Sequence, residues 1–248
     1  MNWPTPPTEW FLAEREVHVW SATLDRTTDE LTHFSSLLSD DERTRANRFH
    51  FERDQNRFTV GRGLLRTVLS RYVQKPAHEL KFTYSDRGKP TLGGLPVNET
   101  LHFNLSHSRD FALLAVTRVC PIGVDVEWIR PLSDAEAIAE RFFSARESTA
   151  LKALPVGQKP IGFFNLWTRK EAWLKATGEG ISNSLNQVEV SLLPEEPAQL
   201  LSLFGDTRIA ADWTLLDLKP APNVKGALAA HAPNLQVKTW SWPFQLLQ

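Results

Sequence analysis

The chain has 248 residues, enough to bury a substantial core in one large domain or two small ones. Hydrophobic residues make up 42% and charged residues 23%, a globular balance that excludes a disordered or membrane-embedded chain. The formal net charge of -1 supplies no global field for nucleic acid or membrane, so any anion-binding surface must be local.

Cys120 is the only cysteine, so no intrachain disulfide forms, and a cytoplasmic location is expected. The opening "MNWPTPPTEW" lacks the basic start and apolar run of a signal peptide. No apolar stretch approaches membrane-spanning length. The nine tryptophans are expected mainly in core packing.

In chain order, Pro4 to Pro7 reads as an extended lead-in, and the alternating Val17 to Leu24 as a strand. Three serines are each followed three residues later by glutamate: Ser39 and Glu42, Ser133 and Glu136, Ser144 and Glu147. Each pair fits a capping box, in which the two side chains satisfy free amides at a helix start. The first box launches a long helical stretch, in one or two pieces, towards Tyr72. From Arg43 to Arg71 that stretch carries eight arginines against two acids, Glu52 and Asp54. Arginine grips phosphate through a planar fork of donors, so this is either a phosphate-binding face or a solvated one.

"SDRGKP", Ser85 to Pro90, is a turn signal carrying two cations. Short strands follow in "LHFNLSHS", "FALLAVT" and "IGVDVEWI". "FNLSHS" offers hydroxyls, amides and the imidazole of His107, all suited to phosphate, although a lone histidine also serves structure. In "GVDVE", strand periodicity puts Asp125 and Glu127 on one face and Val124 and Val126 on the other. Two carboxylates so close repel unless a cation lies between them, and a hard cation such as Mg²⁺ takes such oxygens. A merely wet, acidic strand face is the other reading.

A helical block is expected from about Ser133 to Thr177. Within it, Trp167, Glu171 and Lys175 form one helix row, and Lys170 and Leu174 the next. Glu171 and Lys175 read as an ordinary surface ion pair or as half of a phosphate and metal site. Gly178 suits a C-terminal cap, and Gly180 a close backbone approach. Strands return in "NQVEVSLL", "ADWTLLDL", "KGALAAHA" and "LQVKTWSW". Strands and helices thus come in two rounds split near Cys120 to Gly123, the pattern of an α+β protein with two lobes of similar size.

Four stretches, in this order, resemble the surfactin-type (Sfp-like) 4'-phosphopantetheinyl transferases. They are "GKP" at Gly88 to Pro90, "FNLSHS" at Phe103 to Ser108, "GVDVE" at Gly123 to Glu127, and "WTRKEAWLKATGEGI" at Trp167 to Ile181. "RFFSARE", Arg141 to Glu147, also looks like the family's. The resemblance runs from about Ser39 to Ile181. It implies two α+β lobes related by a pseudo-twofold, here 1–120 and 121–248, with coenzyme A between them in a monomer. It implies transfer of the phosphopantetheine arm of coenzyme A to a serine of an apo carrier protein, releasing adenosine 3',5'-bisphosphate. Acyl, polyketide and peptidyl carriers all remain open.

Residue by residue, Asp125, Glu127 and Glu171 match carboxylates of a magnesium site, with manganese possible, and Lys175 matches the pyrophosphate lysine. Glu171 or a water on the metal takes the serine proton. Lys89, Ser106 and His107 match contacts to the nucleotide end and its 3'-phosphate; Arg45 and, more loosely, Arg87 join them. Arg53, Arg57, Arg62 and Arg66 receive no assignment; they face solvent or help the carrier dock. Three rivals stand beside this reading: a magnesium phosphotransferase or hydrolase of small phosphoesters, a non-catalytic carrier-binding module, and a nucleic-acid binder. The absence of a "GxxxxGK[ST]" loop counts against the first, the intact acids and Lys175 against the second, and the near-zero charge against the third.

Overall fold

A computed structural model of the chain describes residues 3–96, 100–179 and 185–242. Its strands are β1 (Glu16–Thr23), β2 (Phe82–Tyr84), β3 (Pro90–Leu92), β4 (His102–Ser108), β5 (Phe111–Thr117), β6 (Ile122–Trp128), β7 (Val188–Val190), β8 (Leu200–Leu203), β9 (Thr214–Ala221), β10 (Val224–Ala230) and β11 (Gln236–Ser241). Its α-helices are α1 (Thr28–Leu37), α2 (Asp40–Ala46), α3 (Glu52–Val73), α4 (Ala135–Phe142), α5 (Ala145–Ala153), α6 (Lys159–Thr177) and α7 (Thr207–Ala210). The protein is therefore a mixed α and β fold. No described helix is long and apolar enough to cross a membrane.

Two sheets carry the architecture. One has the order β11-β1-β5-β4 and the other β6-β10-β9, with β2-β3 and β7-β8 as separate hairpin ribbons. Alternation along the strands sends each sheet's side chains to two different cores. Trp20, Leu114 and Val116 pack under Leu64, Leu65 and Val68 of α3. Ala227 and Ala229 pack under Ala172, Trp173 and Ala176 of α6. The opposite faces meet each other, Val17, Val19, Leu113 and Ala115 against Val124, Val126 and Leu228. The layers run helix, sheet, sheet, helix. The last strand departs from its neighbours in sequence: β11 runs parallel to β1, so the chain returns to the first sheet.

The boxes at Ser39 and Ser144 form, and α2 and α3 are the two pieces of the expected long helical stretch. The box at Ser133 does not form. Asp134 occupies the cap position of α4, and Glu136 instead reaches Lys159 at 2.5 Å. A box that the sequence reading missed opens α1, with Thr27 and Glu30. "NQVEVSLL" is strand only over Val188–Val190.

Arg62 and Arg66 do not face solvent. Arg62 Nε donates to Glu42 Oε1 at 2.5 Å and Arg66 Nε to Glu42 Oε2 at 2.6 Å, with all three side chains buried. Arg66 also donates to the carbonyls of Ala77 and Leu80, both at 2.9 Å. Burial pushes the Glu42 carboxyl up, but the hydrogen bond from Arg66 and the charge of Arg62 outweigh it and hold it below its ordinary value of 4.5. Its contribution to stability is thus complete above 4.5 and is lost as pH falls through the lower folded-state value. Glu42→Ala leaves two buried guanidiniums without their carboxylate and is expected to cost about 3–5 kcal/mol. Urea unfolding at neutral pH measures this, and the difference from wild type should shrink in acid.

Candidate active site

The site begins where α6 crosses β6. A Cβ on Gly123 would lie 2.0 Å from the Ala172 carbonyl oxygen and 2.4 Å from the Ala176 amide nitrogen. Only a residue without a side chain lets the helix backbone sit directly on the strand. Asp125 and Glu127 share the strand face of Gly123, while Val124 and Val126 fill the core between the sheets. Glu171 and Lys175 of α6 are thereby brought to the two strand acids.

The other sheet supplies hydroxyls. Ser106 Oγ of β4 donates to Asp125 Oδ1 at 2.9 Å, and Ser108 Oγ to Glu127 Oε2 at 2.6 Å. The Val124 amide donates to Asn104 Oδ1 at 2.9 Å, closing the same seam. Lys175 Nζ reaches both Asp125 Oδ1, at 2.6 Å, and Ser106 Oγ, at 2.8 Å. The surface-pair reading of Glu171 and Lys175 therefore gives way: Lys175 pairs across to the strand.

Buried partners hold α6 in place. Lys170, fully buried, meets Glu147 at 2.7 Å and donates to the Leu185 carbonyl at 2.8 Å and to that of Val188. Arg169 grips Asp217 through two bonds of 3.0 and 2.9 Å. Trp167 stacks on Phe163, with ring centroids 5.9 Å apart, and Trp173 is buried against Trp213. The helix ends at Gly178, whose φ of 77° is left-handed. Gly180 and Ile181 lie outside the described residues.

The acids repel one another through little water. Burial and then the charge of Asp125 push Glu171 up to about 7, with Lys175 pulling the other way. Glu127 is also raised, by burial first, against the hydrogen bond from Ser108. Asp125 Oδ2 and Glu171 Oε1 are buried with no hydrogen-bond partner among the described residues. No group of three acidic, imidazole or thiol side chains in the described residues stands ready in metal-binding geometry. The donor chemistry still fits a hard divalent cation, because it is all oxygen, excess in negative charge and incompletely hydrogen-bonded.

Two adjoining cavities lie over α2 and α3, one of them reaching His107, the neighbour of Ser106. One of about 810 Å³ is lined by Arg45, Arg48, Arg62 and Tyr84 together with Asp41 and Glu42; its neighbour of about 730 Å³ is lined by Arg53, Arg57, His107 and Arg109 together with Asp54 and Asp110. Phe49 and Phe58 belong to both walls. His107 keeps an open side, yet desolvation, followed by Lys175 and Arg57, lowers its pKa.

A family model described as "4'-phosphopantetheinyl transferase superfamily" matches residues 121–231, and one described as "4'-phosphopantetheinyl transferase, N-terminal" matches residues 20–119. The chain is 44% identical over 239 residues to the 4'-phosphopantetheinyl transferase HetI of Nostoc sp., covering 96% of this chain and 97% of that protein. The chain belongs to the 4'-phosphopantetheinyl transferase superfamily. A putative 4'-phosphopantetheinyl transferase of Synechocystis sp. is 33% identical, over 92% of this chain and 96% of its own. The 4'-phosphopantetheinyl transferase Sfp of Bacillus subtilis is 35% identical over 164 residues, which are 66% of this chain and 70% of its own.

In this member of the superfamily the expected site residues fall into three groups. Ser106, Asp125, Glu127, Glu171 and Lys175 gather at the seam, and Arg45 and His107 line the cavities. Arg87 and Lys89 lie elsewhere, against the end of α6: Arg87 donates to the Gly178 carbonyl at 3.4 Å, and Lys89 to carbonyls of the last helical turn. Tyr84 and Arg109 also line these cavities, and neither sits in a motif that the sequence singles out. Gly123→Ala is expected to force strand and helix apart at a cost of about 1–3 kcal/mol. A lower denaturation midpoint checks this, and an unchanged one contradicts the direct backbone contact.

Proposed function

We propose that the seam and cavities carry out one reaction. The protein transfers the 4'-phosphopantetheine group of coenzyme A to a serine hydroxyl of an apo carrier protein and releases adenosine 3',5'-bisphosphate. The observation that carries the reading is the contiguous set Ser106, Asp125 and Lys175, with Glu127 and Glu171 beside it. A pyrophosphate needs cations, a proton acceptor and a surrounding that excludes water. Those requirements match this seam.

Arg45 and His107 hold the nucleotide end and its 3'-phosphate in the paired cavities, where Arg48 and Arg109 add positive charge while Arg57 is held by Asp25. Lys175 exchanges Asp125 for a pyrophosphate oxygen and keeps Ser106 as its second partner. The carrier's serine oxygen attacks the phosphorus nearer the pantetheine. The bond from that phosphorus to the bridging oxygen breaks, and the bisphosphate leaves with the electron pair. The serine proton passes to Glu171, whose Oε1 has no described partner, or to a water. Asp125, Glu127 and Glu171 would hold magnesium, or manganese, which supplies neutralisation of the pyrophosphate charge when bound.

The two sheet-and-helix units support lobes at 1–120 and 121–248 related by a pseudo-twofold, with β11 crossing back. A monomer suits this reading, since both lobes already contribute to one site. Its setting is the cytoplasm, and its partners are acyl, polyketide or peptidyl carriers, with no nucleic acid or membrane.

Intact-mass spectrometry of an apo carrier protein incubated with the enzyme, coenzyme A and Mg²⁺ should show a gain of one phosphopantetheine, lost with EDTA. No gain across acyl, peptidyl and aryl carriers would overturn the reading. Asp125→Ala should lower transfer at least about 100-fold while circular dichroism stays native, because Lys175 is partly exposed and can be hydrated. Near-normal transfer by that variant would remove the proposed role of the acidic cluster.

A further inference from the structure

Lys89 sits just past the turn that follows β2, yet its ammonium lies in the other half of the molecule. It donates to the Lys175 carbonyl, to the Ala176 carbonyl at 3.1 Å and to the Ile122 carbonyl at 3.4 Å. An ammonium has three donors, and here all three are used on backbone oxygens. Two of those oxygens belong to the last turn of α6, where carbonyls lack intrahelical partners and the helix dipole favours a cation. The third opens β6. Lys89 therefore ties the end of the helix that carries Glu171 and Lys175 to the start of the strand that carries Asp125 and Glu127.

Two further observations agree. Among the described residues, the linings of the Arg45 and His107 cavities do not include Lys89; it lines a separate cavity of about 360 Å³ with Ile122, Ala176 and Thr177. The contact that it staples is the one at Gly123, where the two backbones touch with no side chain between. Such a contact is short and steep, so a small slide of α6 along β6 would move Lys175 away from Asp125 and Ser106.

We infer that Lys89 is a positioning residue that clamps α6 to β6 across the two halves of the fold, and that it is not a ligand of the nucleotide phosphates. The kinetic part of this inference rests on the transfer reaction proposed above.

The test separates a clamp from a phosphate ligand by measuring turnover and product binding together. Lys89→Met should lower kcat for transfer at least about tenfold, while the Kd for adenosine 3',5'-bisphosphate, by calorimetry, stays within about twofold of wild type. An Arg45→Ala control should weaken that Kd. Lys89→Arg is the second variant, available should the first fail to fold. A planar guanidinium cannot serve three converging carbonyls as an ammonium does, but it grips phosphate at least as well. The clamp predicts that Lys89→Arg also loses turnover with Kd unchanged. A weakened Kd in Lys89→Met that arginine restores would overturn the inference, and so would full turnover in Lys89→Met. If the wild-type protein transfers nothing, the proposed reaction fails, but the clamp remains testable. Hydrogen exchange at the last turn of α6 should then be faster in Lys89→Met, and unchanged exchange would refute it.

Discussion

The backbone of α6 rests on Gly123 of β6 without a side chain between them, and the rest of the site depends on that contact. Helix and strand approach more closely than packed side chains allow, so acids on the strand and residues on the helix share one small volume. The two strand acids and Val124 are then met from the opposite sheet by Asn104, Ser106 and Ser108. A seam that is polar on one side and roofed by a helix on the other follows from one missing methyl group.

Crowding carboxylates in a half-buried seam opposes folding, and the fold offsets it elsewhere. Lys175 neutralises Asp125 directly, while Glu171, pushed up to about 7, carries the strain of its neighbours. Immediately before Glu171, two cations face away into the core and find carboxylates there, Arg169 with Asp217 and Lys170 with Glu147. Removing one member of such a pair leaves an unpaired buried charge, so both pairs must form together when α6 docks. Glu171 and, one turn further on, Lys175 face the seam instead. The helix thus has a structural charge face and a chemical one, and reading only its composition mixes the two.

This division explains what could be read in the sequence. Local signals were legible: the boxes at Ser39 and Ser144 depend on residues three apart, and the face of Asp125 and Glu127 follows from strand alternation. The Ser133 box was not, because Glu136 is drawn to Lys159 from a later helix. The eight arginines looked alike in sequence, yet Arg62 and Arg66 turn inward to Glu42, a partner supplied by the preceding helix. Strand β11 was legible as a strand, but its pairing with β1 joins opposite ends of the chain. The meeting of Glu171 with Asp125 had no spacing to announce it; only family resemblance suggested it.

The proposed reaction places one divalent cation among Asp125, Glu127 and Glu171 and transfers Lys175 to the pyrophosphate. Crystals grown with coenzyme A and Mn²⁺ would test this through the anomalous signal of manganese. A single strong peak touched by oxygens of all three carboxylates is expected, with Lys175 moved from Asp125 to phosphate oxygen. A peak remote from those acids, or coenzyme A bound with the Lys175 to Asp125 bond intact, would contradict it.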